Sequence, residues 1–327
     1  MMWEHLKQEQ KEKYKTLITN FASLSEAFSQ KAEGEDSDDR ESYVAPIVNS
    51  KFQETVFQKA FHAVGEDIAN TSYDASLVVD EQHKYLVGIK SFGLDSGDQK
   101  IAQFKKDSQS WNELLSEIRF HAEISLDKET ADKENDARYE KLAREIATLR
   151  NQRIESSKAL IKGFHSDSSH VEAVYHVLMP TSKGHKPQIH VGETTYLPVD
   201  LDHLKILGST TKNNPTNFRF TDGHHDYKYT AADSQLHMTF RNKEIVVDTW
   251  DVNYVEDPFY LFEHLHLLTS EKSDSDILET VSWVIIDKHG NVEENSGFNA
   301  FNGGSKLAKK ERLPRILKIQ DKFKDSL

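Results

Sequence analysis

The residues best suited to chemistry begin at Tyr73-Asp74-Ala75-Ser76 and end at Val87-Gly88-Ile89-Lys90-Ser91. Between them, two β-rich runs at 76–80 and 85–89 flank the polar Glu81-Gln82-His83-Lys84, which predicts a hairpin. Folding such a hairpin returns the end of the second strand to the start of the first, so Asp74 and Lys90 meet at one end. A carboxylate there can hold a divalent cation through oxygen. A lysine beside it can orient or deprotonate a water and stabilise charge on a phosphate. Turn parity decides the pairing: an even connection places Asp74 opposite Ser91, and an odd one or a bulge places it opposite Lys90. The odd arrangement or a bulge is expected.

A helix precedes this hairpin in the sequence. Ser50 and Gln53 have capping-box spacing, and Phe52, Val56, Ala60, Phe61 and Val64 supply a buried face before Gly65, with Glu54 on the same helix. A helix bearing a glutamate, then an aspartate opening a hairpin, then a lysine closing its second strand resembles the PD-(D/E)xK nuclease core of type II restriction endonucleases. The resemblance covers about residues 46–120. It implies that Asp74 and Glu54 bind Mg2+, that Lys90 orients the attacking water, and that a phosphodiester is hydrolysed.

Two positions depart from that pattern. Tyr73 stands where the family has proline, and Gly88 stands where it has the acid two residues before the lysine. Glu54 is the preferred replacement for that acid, with Asp98 or Gln99 of the Ser-Gly-Asp-Gln-Lys turn as alternatives. Gly88 can equally permit a close approach of backbone or substrate. Ser96 is expected to cap a helix that carries Ile101 and Phe104, and on it Gln99 and Gln103 would share one face and bond to a metal-bound water or the DNA backbone. An Asp–Lys pair at a strand end is, on the plainer reading, a surface ion pair.

A second stretch, 296–306, mixes Gly297, Gly303 and Gly304 with Phe298, Asn299, Phe301, Asn302 and Lys306. Amides and aromatics on a glycine-rich loop suit contact with base edges. From 300 to 318 there are six Lys or Arg and one acid, Glu311, so Asn299, Asn302, Lys306, Lys309, Lys310 and Arg312 form the expected DNA-binding set. The alternative is a turn-rich loop before an amphipathic helix that buries Leu313, Ile316, Leu317 and Ile319. Histidine pairs at 224–225, at 264 and 266, and at 185 and 190 have ligand chemistry but poor chelate spacing.

The elements that must position these residues follow from hydrophobic spacing. Tyr14, Leu17, Ile18, Phe21, Leu24 and Phe28 predict a long N-terminal helix over 3–32, followed by an acidic connector at 33–39. Residues 127–163 predict a long charged helix, packed on its own domain or serving as an arm to a partner subunit. Beyond 166 come short strands near 171–179, 187–197, 218–229, 234–240, 243–251 and 281–287, with a short helix at 257–268. The expected fold class is α+β or α/β: a PD-(D/E)xK-like mixed sheet flanked by helices, with long N-terminal and central helices and a strand-rich C-terminal region. Three regions are expected: 1–45 (helix and connector), 46–165 (nuclease core) and 166–327 (strand-rich recognition).

The 327 residues carry 41 Lys and Arg against 54 Asp and Glu, a formal charge of −13, and this excludes a generic basic coat for nucleic acid. There is no cysteine, which excludes a disulfide scaffold, thiolate zinc and a Cys nucleophile. No apolar run approaches membrane-spanning length, no secretory leader is evident, and no P-loop, dinucleotide fingerprint or hydrolase elbow occurs. Together these absences make the cytoplasm the default expectation, and the resemblance implies a homodimeric, sequence-specific endonuclease that cuts double-stranded DNA with Mg2+. The alternative is a non-catalytic DNA-binding or regulatory protein built on a degenerate nuclease core, with Gly88 as the sign of decay.

Overall fold

Asn49, one residue earlier than Ser50, starts the helix that carries Glu54. Its side chain accepts the Phe52 N–H at 2.9 Å, and α3 runs Ser50–Phe61 until His62 closes it in the left-handed conformation at φ 57°. The computed structural model describes residues 1–28, 43–66, 72–161 and 171–265. Met1–Leu261 form one compact unit and Phe262–Leu327 a second, of which only 262–265 are described.

The N-terminal helix is interrupted. It forms α1 (Met2–His5), α2 (Gln8–Ala22) and a 3-10 turn (Ser25–Phe28), with extended backbone at Leu6 and Lys7. The break lets Met2, Trp3 and Leu6 be buried together with Tyr14, Ile18 and Ala22, which one straight helix could not direct to the same core.

A six-stranded sheet forms the centre of the first unit. Its strands are β1 (Val64–Gly65), β2 (Ala75–Val78), β3 (Lys84–Ser91), β5 (Val171–Pro180), β6 (Gln188–Thr195) and β11 (Val246–Asp251), in that spatial order. All neighbours are antiparallel except β3 and β5, which run parallel. A parallel pair needs a long crossover. The crossover contains β4 (Gln99–Gln103), α4 (Asn112–Ile124) and α5 (Lys128–Leu160). A second sheet, fully antiparallel, has the order β4, β10 (Gln235–Met238), β9 (Asp226–Thr230), β8 (Asn214–Thr221), β7 (Lys205–Thr211).

Alternation along β3 divides the core. Tyr85, Val87 and Ile89 join Val56, Phe57, Phe61 and Trp250 on one side, whereas Leu86 joins Tyr175, Val177, Ile146 and the aromatic face of the second sheet on the other. The 33-residue α5 lies in this second core, burying Tyr139, Leu142, Ala143, Ile146, Ala147 and Arg150. Its apolar stripe is therefore consumed within its own chain. The Tyr139 hydroxyl donates to the Pro215 carbonyl at 2.8 Å, and its ring stacks on Phe218.

The class is mixed α+β. The boundary expected near residue 165 falls inside the first unit, because β5 pairs with β3 in one sheet and the N-terminal helices share its core. The single strand expected over 218–229 is a hairpin that reverses at Asp222, whose carboxylate accepts the His224 and His225 N–H groups. The strand expected at 281–287, the end of the 257–268 helix and the 33–39 connector lie outside the described residues.

Glu193 is buried beneath α1, where both carboxylate oxygens accept the Trp3 N–H at 3.1 and 3.2 Å. Burial pushes its pKa up to about 7 from 4.5, opposed by that backbone bond. The folded state then binds this proton more tightly than the unfolded chain does, so its contribution to stability is full below about pH 4.5 and declines by about 3 kcal/mol as pH rises through 7. Glu193→Gln keeps an acceptor for Trp3 and removes the charge. Melting curves of the variant should lose this decline between pH 5 and 8, and an unchanged slope would show that Glu193 does not cause it.

Candidate active site

The hairpin connection is odd in length, as expected, yet Asp74 does not fall opposite Lys90. Asp80 accepts the Gln82 and His83 N–H groups, both at 2.8 Å, and this tightens the loop around residue 81. The strands then pair as Ala75 with Val87 and Val78 with Lys84. Asp74 departs from that register: its N–H bonds to the carbonyl of Val87, the residue that Ala75 already faces, so the strand is bulged at its start and Asp74 lies beside Val87 instead of opposite Lys90.

Backbone bonds hold Asp74 rigidly. Its N–H donates to the Val87 carbonyl at 2.9 Å, its carbonyl accepts the Glu66 N–H at 3.1 Å, and its Oδ2 accepts the Ile89 N–H at 2.6 Å. The last bond continues the ladder past the end of β2 and fixes the carboxylate beside the backbone of Lys90.

Lys90 is half-buried, and its Nζ lies 5.9 Å from the centre of the Tyr175 ring. Its pKa is lowered, first by burial. Asp74 then opposes the shift, Lys100 and Arg150 reinforce it, and Glu54 opposes it. The field at the amine thus contains both expected carboxylates. Glu54 itself pairs with Lys51 at 2.7 Å and is 18 % exposed.

Gly88 has a steric explanation. A Cβ at this position would lie 2.9 Å from ring carbons of both Tyr175 and Tyr196. These rings stack with centroids 4.0 Å apart at 11°, in the space that any side chain at position 88 would enter. The Tyr196 hydroxyl donates to the Ser72 carbonyl at 2.9 Å, and the Arg150 guanidinium lies 5.2 Å from the Tyr196 ring centre.

The alternative suppliers of the missing acid are engaged elsewhere. Residues 99–103 form β4 where a helix was expected, because they pair with β10 at the edge of the second sheet. Gln99 therefore turns back onto the Ser96 hydroxyl and the Gly97 carbonyl, and Gln103 donates to the Asp233 carbonyl. Asp98 pairs with Arg219 and Lys228 and accepts from Thr239. Burial opposes its ionisation, but these partners hold its pKa below the ordinary value.

One carboxylate was not foreseen. The Glu66 N–H bonds to the Asp74 carbonyl, which sets Glu66 opposite Asp74, and its Oε1 accepts the Ser76 hydroxyl at 2.5 Å. The only sequence signal for it was an acid just after Gly65, hidden because β1 is two residues long. Among the described residues no set of three or more His, Asp or Glu side chains converges as a metal cluster. The histidines at 185, 190, 224 and 225 accordingly form none, and His266 lies outside those residues. The donor set at Asp74 is oxygen only and acidic, which suits Mg2+, a hard ion that retains several waters and takes one or two carboxylates from protein.

Asn299, Asn302, Lys306, Lys309, Lys310 and Arg312 lie outside the described residues. No helix among the described residues is long and apolar enough to cross a membrane. No family model, no curated protein and no solved structure matches this chain.

Proposed function

We propose that this protein is a Mg2+-dependent, sequence-specific endonuclease of the PD-(D/E)xK type acting on double-stranded DNA. The observation that carries this reading is the Asp74 carboxylate fixed on the Ile89 N–H, next to Lys90 in the chain, with Asp74 and Glu54 both in the field of the Lys90 amine. The order α3, β2, β3 within a mixed sheet supports it, since a helix followed by a hairpin in a mixed sheet flanked by helices is what the resemblance implies. Asp74 would hold the ion, with Glu54 or Glu66 as the second carboxylate in place of the acid absent at Gly88. A divalent cation bound there supplies Lewis-acid polarisation of the scissile phosphate.

The chain's own residues do the rest. Asp74 is held in one orientation by the Ile89 N–H, so it presents its carboxylate without having to reorganise. The Lys90 amine, disfavoured as a cation by burial, orients the attacking water and takes its proton. Gln99 is bonded within its own turn and has no part in this step. A homodimer would place two such sites on the two strands of a duplex.

Incubating supercoiled plasmids of diverse sequence with the protein and Mg2+ should give discrete fragments that EDTA and Asp74→Asn both abolish. Intact plasmids throughout would refute the enzyme. The steric closure over Gly88 favours one second reading, a DNA-binding protein with a degenerate core. That protein would shift DNA equally with Mg2+ or EDTA and would be indifferent to Asp74→Ala.

A further inference from the structure

The second sheet turns its aromatic residues inward. Phe218, Phe220, Tyr227 and Tyr229 are fully buried, and Tyr139 of α5 stacks on Phe218. Alternate positions on β8, β9, β10 and β4 therefore point to the opposite face, where strand register sets four of them in one row: Arg219 opposite Lys228, Lys228 opposite His237, and His237 opposite Lys100. None of the four is buried. A bulge between Leu236 and His237 keeps Lys100 in this row, where its amine donates to the Gln103 side chain at 3.0 Å.

Like charges set opposite one another across strands repel. Among the described residues, Asp98 is the acid that answers this row, pairing with Arg219 and, at 3.3 Å, with Lys228. Burial, and then Lys228, lowers the pKa of His237, which stays neutral at pH 7 between the two lysines. The row thus sets Arg219, Lys228 and Lys100 against a single carboxylate, in a chain whose formal charge is −13. A positive row kept against its own repulsion in an acidic protein suits an anionic partner.

We infer that this face of the second sheet binds the phosphate backbone of duplex DNA and leads the duplex to Lys90. Four strands about 4.8 Å apart give the row a span of roughly 14 Å, and a duplex carries one charge per about 1.7 Å of its axis, so several phosphates can meet it. Arg219 supplies a planar fork that fits phosphate oxygens. The row ends at Lys100, which is near enough to the Lys90 amine to act on its charge. Thr230 and Gln235, opposite each other, form the next pair on the face and carry no charge to repel a phosphate. No Phe, Tyr or Trp occupies the outward positions of these four strands, so unpaired bases find no platform to stack on, which favours a duplex over a single strand.

The choice of DNA as partner rests on the nuclease reading, but the test runs in EDTA, without cleavage. Reductive methylation read by mass spectrometry should find Lys100 and Lys228 protected by a short mixed-sequence duplex, and Lys141, on the exposed side of α5, equally reactive with and without it. Protection is measured on the wild-type protein and so does not depend on removing a charge. Arg219→Gln and Lys228→Gln should each weaken duplex binding and reduce the slope of log Kd against log salt by about 1, and Lys141→Gln should leave it unchanged. Unprotected lysines, an unmoved slope or an equal change in Lys141→Gln overturns the inference. Equal protection by a single strand or by polyglutamate does so too, since the face would then serve unpaired nucleic acid or an acidic protein. If Arg219→Gln, which strips a partner from Asp98, does not fold, Lys100→Gln decides. Protection in a protein that never cuts DNA supports this surface and sinks the nuclease reading. Cleavage with both lysines unprotected overturns the surface and spares the enzyme.

Discussion

Lys90→Met should lower the rate of Mg2+-dependent plasmid cleavage by about 10²- to 10⁴-fold and at the same time raise the melting temperature at neutral pH. The two effects share one cause. Burial, helped by Lys100 and Arg150 and opposed by Asp74 and Glu54, lowers the folded-state pKa of Lys90 below 10.5. The unfolded chain therefore holds this proton more tightly, and the charge opposes folding at every pH below the lowered value. The opposition fades as pH rises from that value towards 10.5. Wild type and variant should converge in stability at alkaline pH, and the wild-type rate should climb with pH as the neutral amine becomes populated. Lys90→Arg separates orientation from proton transfer, since a guanidinium stays charged. A Lys90→Met variant that melts below wild type at pH 7 would show that the amine is not strained by burial.

Gly88→Glu, which would supply the acid of the PD-(D/E)xK pattern, should destabilise the protein by about 3 kcal/mol or more and should not improve cleavage. Its Cβ would start 2.9 Å from both tyrosine rings, and the carboxylate beyond would have to displace them or be buried against them. Gly88→Ala isolates the steric part, about 1–3 kcal/mol. Pairing it with Tyr175→Ala should prove non-additive by at least about 0.5 kcal/mol, because removing one ring relieves its own clash and lets the stacked Tyr196 ring yield to the methyl group. Denaturant titration of the four proteins measures this. Wild-type stability in Gly88→Ala would mean that the aromatic pair does not close the position.

These two residues also show how far sequence reasoning reaches. Glu54 on a helix, the hairpin between Asp74 and Lys90, and the long charged α5 were all legible, because each is a local matter of capping, alternation and turn chemistry. The register was not legible. It depended on Asp80 tightening its loop, which sets Ala75 opposite Val87, and on the irregularity at Asp74, whose N–H bonds to Val87 as well. Nor was the fate of Gln99 and Gln103, since five residues that read as the start of a helix were recruited as an edge strand by a partner more than a hundred residues away.

By itself, then, the sequence determined which side chains carry chemistry and which short elements hold them, since both follow from residue type and near-neighbour spacing. Only the tertiary structure decided why position 88 is glycine, which acid lies opposite Asp74, and what surrounds the Lys90 amine. Tyr175, Tyr196 and Arg150 converge beside Gly88 from separate stretches of the chain, and Glu66 lies opposite Asp74. Their meeting is a property of sheet order and long-range packing, which no local pattern encodes.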